Sequence, residues 1–519
     1  MSVSRRRALA AALVAVGALA PAGEAAAHIN SPDLVHEGMA GPYRLLVTIR
    51  PPEVIPGVAE IEVQAPRADL RAVTLVPIPV RGPGAASPPI ADVAARVPED
   101  PRLYRGHLWL MATGSWQVRV HADGPDGAGD LSVPVPALAV RTRRMQAGLG
   151  IFLLALMISL FAGLVSIVGA SLRDADRAPG TAIDARRAGR ARVAQLVTAL
   201  LLAAAIAAGA SWWGREATAY GQRVYKPLAL AAAVTAGPDA RRTLTLTLTD
   251  PGWLPSRRLD DLLPDHGHLM HLFAVRLPGL DAIAHLHPTE ASPGRFTQPL
   301  PALPPGTYQL FADVVHASGL GEPATATLAI AAGPDAAPSG DAAVGTGPPI
   351  PTGAAPGGAP PAPEDPVVSL PDGTRVVWVR DRTAAGQAPA PVRAGRPTWF
   401  RFRIEDRDRH PVRDLLPYMG MAGHAVFLAQ DRSVFAHVHP TGSVPMAALA
   451  LVAGEASGKT GQIGSRTGDP HAGHHMAEEA LPADLAFPYV CPKPGDYRVF
   501  VQVKRGETIE TAIFDTRAR

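Results

Sequence analysis

Hydrophobic residues along this chain of 519 residues fall into many short alternating runs and two long apolar stretches. The clearest alternation covers residues 244–248, which read Leu-Thr-Leu-Thr-Leu, as expected of a strand with one buried face. Similar runs recur between Gly and Pro clusters on both sides of the apolar stretches. We therefore predict a mainly β protein with three immunoglobulin-like β-sandwich domains, at residues 28–140, 240–332 and 367–519.

The two apolar stretches predict a transmembrane hairpin over residues 145–215. Residues 147–172 and 193–213 contain no charged side chain, and each is longer than the roughly 20 residues needed to cross a bilayer. The loop between them, residues 173–192, carries six arginines, which the positive-inside rule places in the cytoplasm. Because neither stretch contains an ionisable group, we expect the hairpin to anchor the chain and not to conduct.

The N-terminus is typical of a secretory signal peptide over residues 1–27. Arginines at 5–7 precede a short apolar run, and three alanines at 25–27 offer a cleavage site. Cleavage there would leave His28 as the N-terminal residue, where the amine and the imidazole together can bind copper. We thus predict a bacterial inner-membrane protein with its N- and C-terminal domains in the periplasm. The single cysteine, Cys491, excludes an intrachain disulfide, and a net charge of +3 gives no indication of nucleic-acid binding.

One histidine pattern occurs in each of the two C-terminal domains. His271 is followed after thirteen residues by His-Leu-His-Pro at 285–288, and His424 after twelve residues by His-Val-His-Pro at 437–440. A His-x-His pair in a strand places both rings on one face, and a neighbouring strand can add a third ring to complete a metal site. Imidazole suits copper, our first expectation, and zinc, the alternative. The predicted metal ligands are His266, His268, His271, His285, His287 and His316 in the first domain, and His424, His437 and His439 in the second.

Two segments outside the motifs change this picture a little. Residues 333–366 are rich in Pro, Ala and Gly and predict a flexible linker, across which two sites could capture or exchange an ion. Residues 453–484 predict a loop inserted in the last domain, and its histidines and methionine at 471–476 resemble tracts that bind metal loosely. Thioether ligands for copper are also available near the second histidine set, at Met419, Met421 and Met446.

Two other interpretations of the histidines stay open. A His-x-His-Pro run can hold a turn by hydrogen bonds alone, in which case the chain is a non-metal assembly module for a membrane complex. A metalloenzyme is the third possibility, with Asp265 and Asp313 as its nearest acid or base. No zinc-protease, nucleophile-elbow, P-loop or haem-attachment motif is present, so we do not expect an enzyme.

The first domain resembles a known group of exported domains. Residues 31–38, Ser-Pro-Asp-Leu-Val-His-Glu-Gly, and 41–43, Gly-Pro-Tyr, are similar to the YtkA-like or FixH-like domains, which are CopC-like sandwiches. The repeated histidine motif, with Pro-Gly-x-Tyr at 305–308 and 494–497, resembles an uncharacterised family of bacterial membrane-anchored proteins. The resemblance implies a role in copper handling or oxidase maturation, with a membrane complex or a metal donor or acceptor as partner. It implies no catalytic residues.

Overall fold

The computed structural model describes residues 33–519 except 67–68, 144, 177, 179, 238–240, 334–335, 351–363, 384–387 and 457–480. The predicted signal peptide, His28 and the tract at 471–476 therefore lie outside the described residues. Over the rest the chain is mainly β, as predicted, with strands in several sheets and three α-helices. The strands form an N-terminal unit (residues 34–137), a middle unit (residues 229–346) and a C-terminal unit (residues 367–518).

Two sheets that pack face to face form the N-terminal unit. Its strands are β1 (Leu34–Ala40), β2 (Tyr43–Arg50), β3 (Gly57–Gln64), β4 (Ala72–Pro79), β5 (Asp92–Val93), β6 (Ala95–Val97), β7 (Asp100–Leu110), β8 (Gly114–Gly124) and β9 (Gly127–Ala137). One sheet has the order β1-β2-β3-β7-β6 and the other β5-β4-β8-β9. Leu45, Val47 and Ile49 alternate inward from β2 and meet Val118 and Val120 of β8 in one core.

Two long apolar helices follow, α1 (Ala147–Asp174) and α2 (Ala185–Arg223), and both are long and apolar enough to cross a membrane. Gly169 of α1 packs against Gln195 of α2, and the earlier turns of α1 share a groove with Leu202, so the helices run antiparallel. The far end of α2 contacts the N-terminal unit, because the Ile55 amide donates to the Tyr220 hydroxyl (3.2 Å). Both ends of the hairpin thus join β units on the same side.

A single ten-stranded sheet, curled around its own core, forms the middle unit. Its strands are β10 (Ala229–Ala236), β11 (Arg242–Thr249), β12 (Leu262–Leu263), β13 (His271–Leu277), β14 (Ala282–Leu286), β15 (Thr289–Ser292), β16 (Arg295–Pro299), β17 (Gly306–His316), β18 (Gly321–Ile330) and β19 (Ala343–Thr346). They follow the order β15-β16-β11-β10-β18-β17-β13-β14-β19, with β12 paired to β17. The alternating leucines, Leu244, Leu246 and Leu248, face Tyr308 and Leu310 of β17 in the core.

Strand β19 lies inside the segment that we predicted to be a flexible linker. Residues 343–346 pair antiparallel with β14 instead of forming an extended tether, and Ala343 lies opposite His285. Low hydrophobicity prevents such a segment from building its own core, but it does not prevent the segment from adding a strand to the edge of an existing sheet. Residues 343–346 of the predicted linker are therefore fixed beside a histidine-bearing strand.

The C-terminal unit is again built from two sheets. Its elements are β20 (Val367–Ser369), β21 (Arg375–Val379), β22 (Pro397–Glu405), β23 (Leu415–Leu416), β24 (His424–Ala429), β25 (Phe435–Val438), α3 (Met446–Ala456), β26 (Asp484–Val490), β27 (Gly495–Arg505) and β28 (Thr508–Ala518). One sheet has the order β20-β21-β22-β26 and the other β23-β27-β24-β25, with β28 paired to β27. Phe400 and Phe402 of β22 pack with Phe427 of β24, and Cys491 is buried in the same core.

An apolar cluster joins the middle unit to the C-terminal unit. Phe273 and Phe311 meet Phe435 and Phe500, and the rings of Phe311 and Phe435 stack at 4.2 Å. Arg498 is buried in this interface, where it donates to the carbonyls of Gly279, Leu280 and Pro348 at 2.8–3.1 Å. Packing and hydrogen bonds together hold the two His-x-His strands in a defined relation to each other.

The N-terminal unit contacts the C-terminal unit through its edge strand β1. The Glu37 amide donates to the Thr441 carbonyl (2.7 Å), and the Ser443 amide donates to the Val35 carbonyl (2.9 Å). These bonds extend β1 onto the turn that follows His439. The unit next to the hairpin of α1 and α2 is thereby tied to the end of a predicted metal-binding strand.

Candidate metal centre

The two His-x-His strands meet where the interface between the middle and C-terminal units ends. Side chains two positions apart on a strand share a face, so each residue two positions from an apolar interface residue points into the same space. This rule directs six side chains to one region. In the middle unit they are His271, His285 and Asp313, which lie two positions from Phe273, Ile283 and Phe311. In the C-terminal unit they are His424, His437 and Gln502, which lie two positions from Val426, Phe435 and Phe500. The apolar contact between the units therefore passes directly into a cluster of polar, mostly imidazole, side chains.

Three histidines of the middle unit form one convergent group, the outer triad, which consists of His271, His285 and His287. The Nδ1 atom of His271 and the Nε2 atom of His287 lie 3.1 and 3.2 Å from the Nε2 atom of His285. Ligand nitrogens in a tetrahedral site with metal–nitrogen distances of about 2.0–2.1 Å lie roughly 3.3 Å apart. The spacing of the outer triad therefore suits a single metal ion.

Hydrogen bonds on the far sides of the rings prepare these nitrogens to act as ligands. The Nε2 atom of His271 donates to the Asp265 carbonyl (3.0 Å), and the Nδ1 atom of His285 donates to the Gln502 side-chain oxygen (2.9 Å). Each bond places the proton on the outer nitrogen and leaves a lone pair on the nitrogen that faces the triad. Gln502 belongs to the C-terminal unit, so the outer triad is oriented from across the interface.

A second group, the inner triad, consists of His266, His424 and His439, and it crosses the interface. His266 comes from the middle unit, and its Nε2 atom lies 3.1 Å from the Nε2 atom of His439. The Nδ1 atom of His266 donates to the Met419 carbonyl (3.0 Å), which again leaves the inward nitrogen with a lone pair. The sequence pattern predicts one site in each domain, whereas the structure completes the second group with a ring from the first domain.

His424 has the most unusual environment in the cluster. It is completely buried, and neither of its ring nitrogens has a hydrogen-bond partner among the described residues. A buried polar group without a partner costs about 1–3 kcal/mol. A metal ion bound to one nitrogen would compensate part of that cost, and the position of the ring beside His266 and His439 allows this.

His437 lies between the two triads and belongs to neither. Its ring centre is 5.2 Å from that of His271 and 5.3 Å from that of His424. Its Nε2 atom is buried without a hydrogen-bond partner in the described part of the chain, and its Nδ1 atom lies 3.8 Å from a carboxylate oxygen of Asp313. His437 therefore has a nitrogen available to an ion on either side.

His268 connects the cluster to the surface. Its ring stacks on that of His287 at 4.0 Å, and its Nε2 atom lies 3.8 Å from a carboxylate oxygen of Asp341. The side chain is 30% exposed, whereas the members of the inner triad are buried. The eight histidines thus form one continuous group that reaches solvent at His268.

Burial keeps these imidazoles neutral. Loss of hydration lowers the pKa of His285 to about 3, and neighbouring imidazoles reinforce the same effect at His271 and His424, whose pKa values lie well below the usual range. Burial acts in the opposite direction on Asp313 and raises the pKa of its carboxyl to about 7. At neutral pH the cluster therefore offers unprotonated nitrogens, the form that metal ions require.

His316 and the methionines, proposed from sequence as ligands, lie in other environments. The two ring nitrogens of His316 contact the Arg258 carbonyl (2.7 Å) and the Glu322 carboxylate (2.9 Å), so both are already used. Met419 contributes its backbone carbonyl to His266, and the sulfur of Met446 accepts from the Thr441 hydroxyl at 3.8 Å. His316 therefore has no ring nitrogen left for a metal ion.

Sequence reasoning missed three residues of the site: Gln502, Tyr418 and Asp341. The Tyr418 hydroxyl lies 3.1 Å from the Nδ1 atom of His285 and donates to the Asp341 carbonyl (3.0 Å). None of the three belongs to a histidine motif. Gln502 and Tyr418 reach the cluster across the interface, and Asp341 reaches it from the segment predicted to be a linker. Only the position of Gln502, two residues after Phe500 on a buried strand, gives a signal in the sequence.

Comparisons with known proteins match part of the chain. Residues 226–332 and 380–519, slightly less than half of the chain, match the model of a domain of unknown function, DUF8832. This match covers both histidine motifs but neither the N-terminal unit nor the two long apolar helices, α1 and α2. No curated protein matches the chain.

Some solved structures match long stretches of this chain, but with low sequence identity and low TM-scores. Latent PorU from Porphyromonas gingivalis is 9% identical over 94% of this chain and 34% of its own, with a TM-score of 0.14, so this chain spans about a third of its length. MtrC from Shewanella baltica is 14% identical over 58% of this chain and 70% of its own, with a TM-score of 0.14. A putative membrane anchored protein from Corynebacterium diphtheriae is 9% identical over 94% and 95%, with a TM-score of 0.13. Such TM-scores carry no information about function.

Proposed function

We propose that this chain is a membrane-anchored protein that binds transition-metal ions in the histidine cluster. One observation carries the proposal: two groups of three imidazoles converge, and the completely buried His424 has no hydrogen-bond partner for either nitrogen among the described residues. Structural histidines normally satisfy both ring nitrogens, as His316 does. A partner of another kind, an ion, accounts for the orphaned nitrogens and for the convergence of the lone pairs.

Copper is the expected ion and zinc the alternative. The two triads offer neutral imidazole nitrogens, which suit both copper and zinc. For a fixed set of nitrogen ligands Cu²⁺ binds more tightly than Zn²⁺. Three imidazoles also leave a coordination position open, which favours exchange with a donor or acceptor over permanent structural binding.

The remaining features support a metal centre outside a bacterial inner membrane. The arginine-rich loop between α1 and α2 belongs in the cytoplasm by the positive-inside rule. The three β units, two built from paired sheets and the middle one from a single curled sheet, then face the periplasm. The proposed role is metal handling or oxidase maturation, with a membrane complex or a metal donor or acceptor as partner. No enzyme activity is proposed.

The test is a copper and zinc titration of the full chain in detergent, after removal of metal with a chelator. We expect two ions per chain in the wild type and one in the His285→Ala/His287→Ala and His424→Ala/His439→Ala variants. His410→Ala is the matched control, because His410 is mostly exposed and lies outside the cluster, and it should bind two ions.

Absence of stoichiometric copper and zinc in the folded wild type would overturn the proposal. The histidines would then serve packing, and an assembly module for a membrane complex would be the better interpretation. Binding that survives in both double variants would also count against it, because the ion would then lie elsewhere on the chain.

A further inference from the structure

Exposure within the cluster is concentrated at His268 and at His287 of the outer triad, because His271 and His285 are as deeply buried as the inner triad. His268, at 30% side-chain exposure, and His287, which stacks on it, are partly exposed. His266, His424 and His439 are buried. Among the eight rings, an ion that arrives from solvent therefore meets His268 and His287 first. One carboxylate oxygen of Asp341 lies beside His268, where it can attract a cation, and the other lies 3.8 Å from the Lys504 ammonium.

His437 provides the closest connection between the triads. Its ring centre lies 5.2 and 5.6 Å from the outer rings His271 and His285, and 5.3 and 4.5 Å from the inner rings His424 and His439. Direct approaches between the triads are longer, at 6.0 Å for His266 with His271 and 6.2 Å for His285 with His424. The buried Nε2 atom of His437, without a partner in the described residues, is free to bind an ion in passage.

We propose that the triads fill in order: an ion enters at His268 and Asp341, binds the outer triad, and moves to the inner triad by way of His437. This route rests on the proposed metal-binding function and adds a direction to it. Transfer from one nitrogen ligand to the next keeps the ion coordinated throughout, whereas a bare cation in this buried region would be very costly. Asp313, 3.8 Å from the opposite nitrogen of His437, offsets the positive charge during transfer.

The route is tested by stopped-flow loading of the metal-free full chain in detergent with Co²⁺, whose visible absorption reports nitrogen coordination. The wild type should take up two ions in a fast and a slow phase. His437→Gln keeps a polar side chain and both triads, so it should still bind two ions, with the slow phase about tenfold slower or more. His424→Ala/His439→Ala should show only the fast phase, and His268→Gln should slow the fast phase.

Specific outcomes would overturn the route. If His437→Gln loads its second ion at the wild-type rate, or if both triads of the wild type fill in one phase, the ordered passage is wrong although metal binding stands. If the folded wild type takes up no Co²⁺, Cu²⁺ or Zn²⁺, the proposed function itself fails. Circular dichroism of each metal-free variant shows that the change lies in loading and not in folding, and His410→Ala should match the wild type.

Discussion

Replacing His424 with leucine should stabilise the metal-free protein while it removes the inner ion. The side chain is completely buried, and both ring nitrogens lack hydrogen-bond partners in the described part of the structure. An unsatisfied buried polar group costs about 1–3 kcal/mol, and a leucine of similar size places no polar atom there. His424→Leu should therefore raise the free energy of unfolding of the metal-free chain by about 1–3 kcal/mol.

The same substitution at His285 supplies a control of opposite sign. His285 is equally buried, but its Nδ1 atom donates to the Gln502 side-chain oxygen at 2.9 Å. His285→Leu leaves that oxygen without its donor, so it should lower the free energy of unfolding by about 1–3 kcal/mol. Two substitutions that are identical in chemistry and in burial are thus predicted to act in opposite directions.

The assay is denaturant unfolding of the full chain in detergent with a chelator present, followed by tryptophan fluorescence. Trp378 lies in the core of the C-terminal unit, which contains His424, and it reports on that unit. Equal destabilisation by His424→Leu and His285→Leu would refute the reasoning, because His424 would then have a structural partner that leucine removes. With copper present the wild type should be more stable than His424→Leu, since that variant lacks a ligand of the inner ion and gains no stability from it.

Three further predictions concern pH, the interface and the turn after β25. Burial lowers the pKa of His285 to about 3, below its value in the unfolded chain, so the unfolded state binds more protons between about pH 3 and 6.5. The free energy of unfolding of the metal-free chain should therefore fall as pH decreases through that window, by about 1.4 kcal/mol per pH unit for each such histidine. In an acid titration His285→Leu should reduce this slope. Arg498→Leu leaves the carbonyls of Gly279, Leu280 and Pro348 without their donor. It should lower the free energy of unfolding by about 3 kcal/mol or more in denaturant unfolding. The side chain of Arg403 is more exposed, and Arg403→Leu should change the free energy of unfolding little. Gly442 has a φ of 122°, and in Gly442→Ala the new Cβ atom would clash with the Val35 carbonyl oxygen. By disturbing the turn after His439, this variant should lower the affinity of the inner triad for its ion about 10- to 100-fold in titrations. Gly395→Ala, also at positive φ but with open space around it, should leave the affinity unchanged.

The outer triad was accessible from sequence, because it depends on local rules. The alternation of a strand places His285 and His287 on one side, and the adjacent strand begins at His271. The leucine alternation in β11 and the mainly β character were predicted for the same reason. Period-2 patterns are determined by which face of a sheet is buried, and that information is written in the sequence itself.

The inner triad was not accessible, because it depends on how separate units pack. His266 completes a group whose other members lie more than 150 residues later in the chain, and its position follows from the interface of Phe273 with Phe435. The sequence equally could not show that His316 has Glu322 as its partner, or that residues 343–346 add a strand to the middle unit. Each of these outcomes was decided by tertiary contacts that no local pattern encodes.

The central claim is that two three-imidazole sites lie side by side in one cluster. Electron paramagnetic resonance of the full chain loaded with two equivalents of Cu²⁺ tests it most directly. Rings of the two triads approach within 6.0 Å, so the account predicts nitrogen hyperfine structure together with dipolar coupling between the two ions, and loss of the coupling in His424→Ala/His439→Ala. A spectrum of isolated Cu²⁺ without nitrogen ligands, or one that the double variant leaves unchanged, would contradict the account.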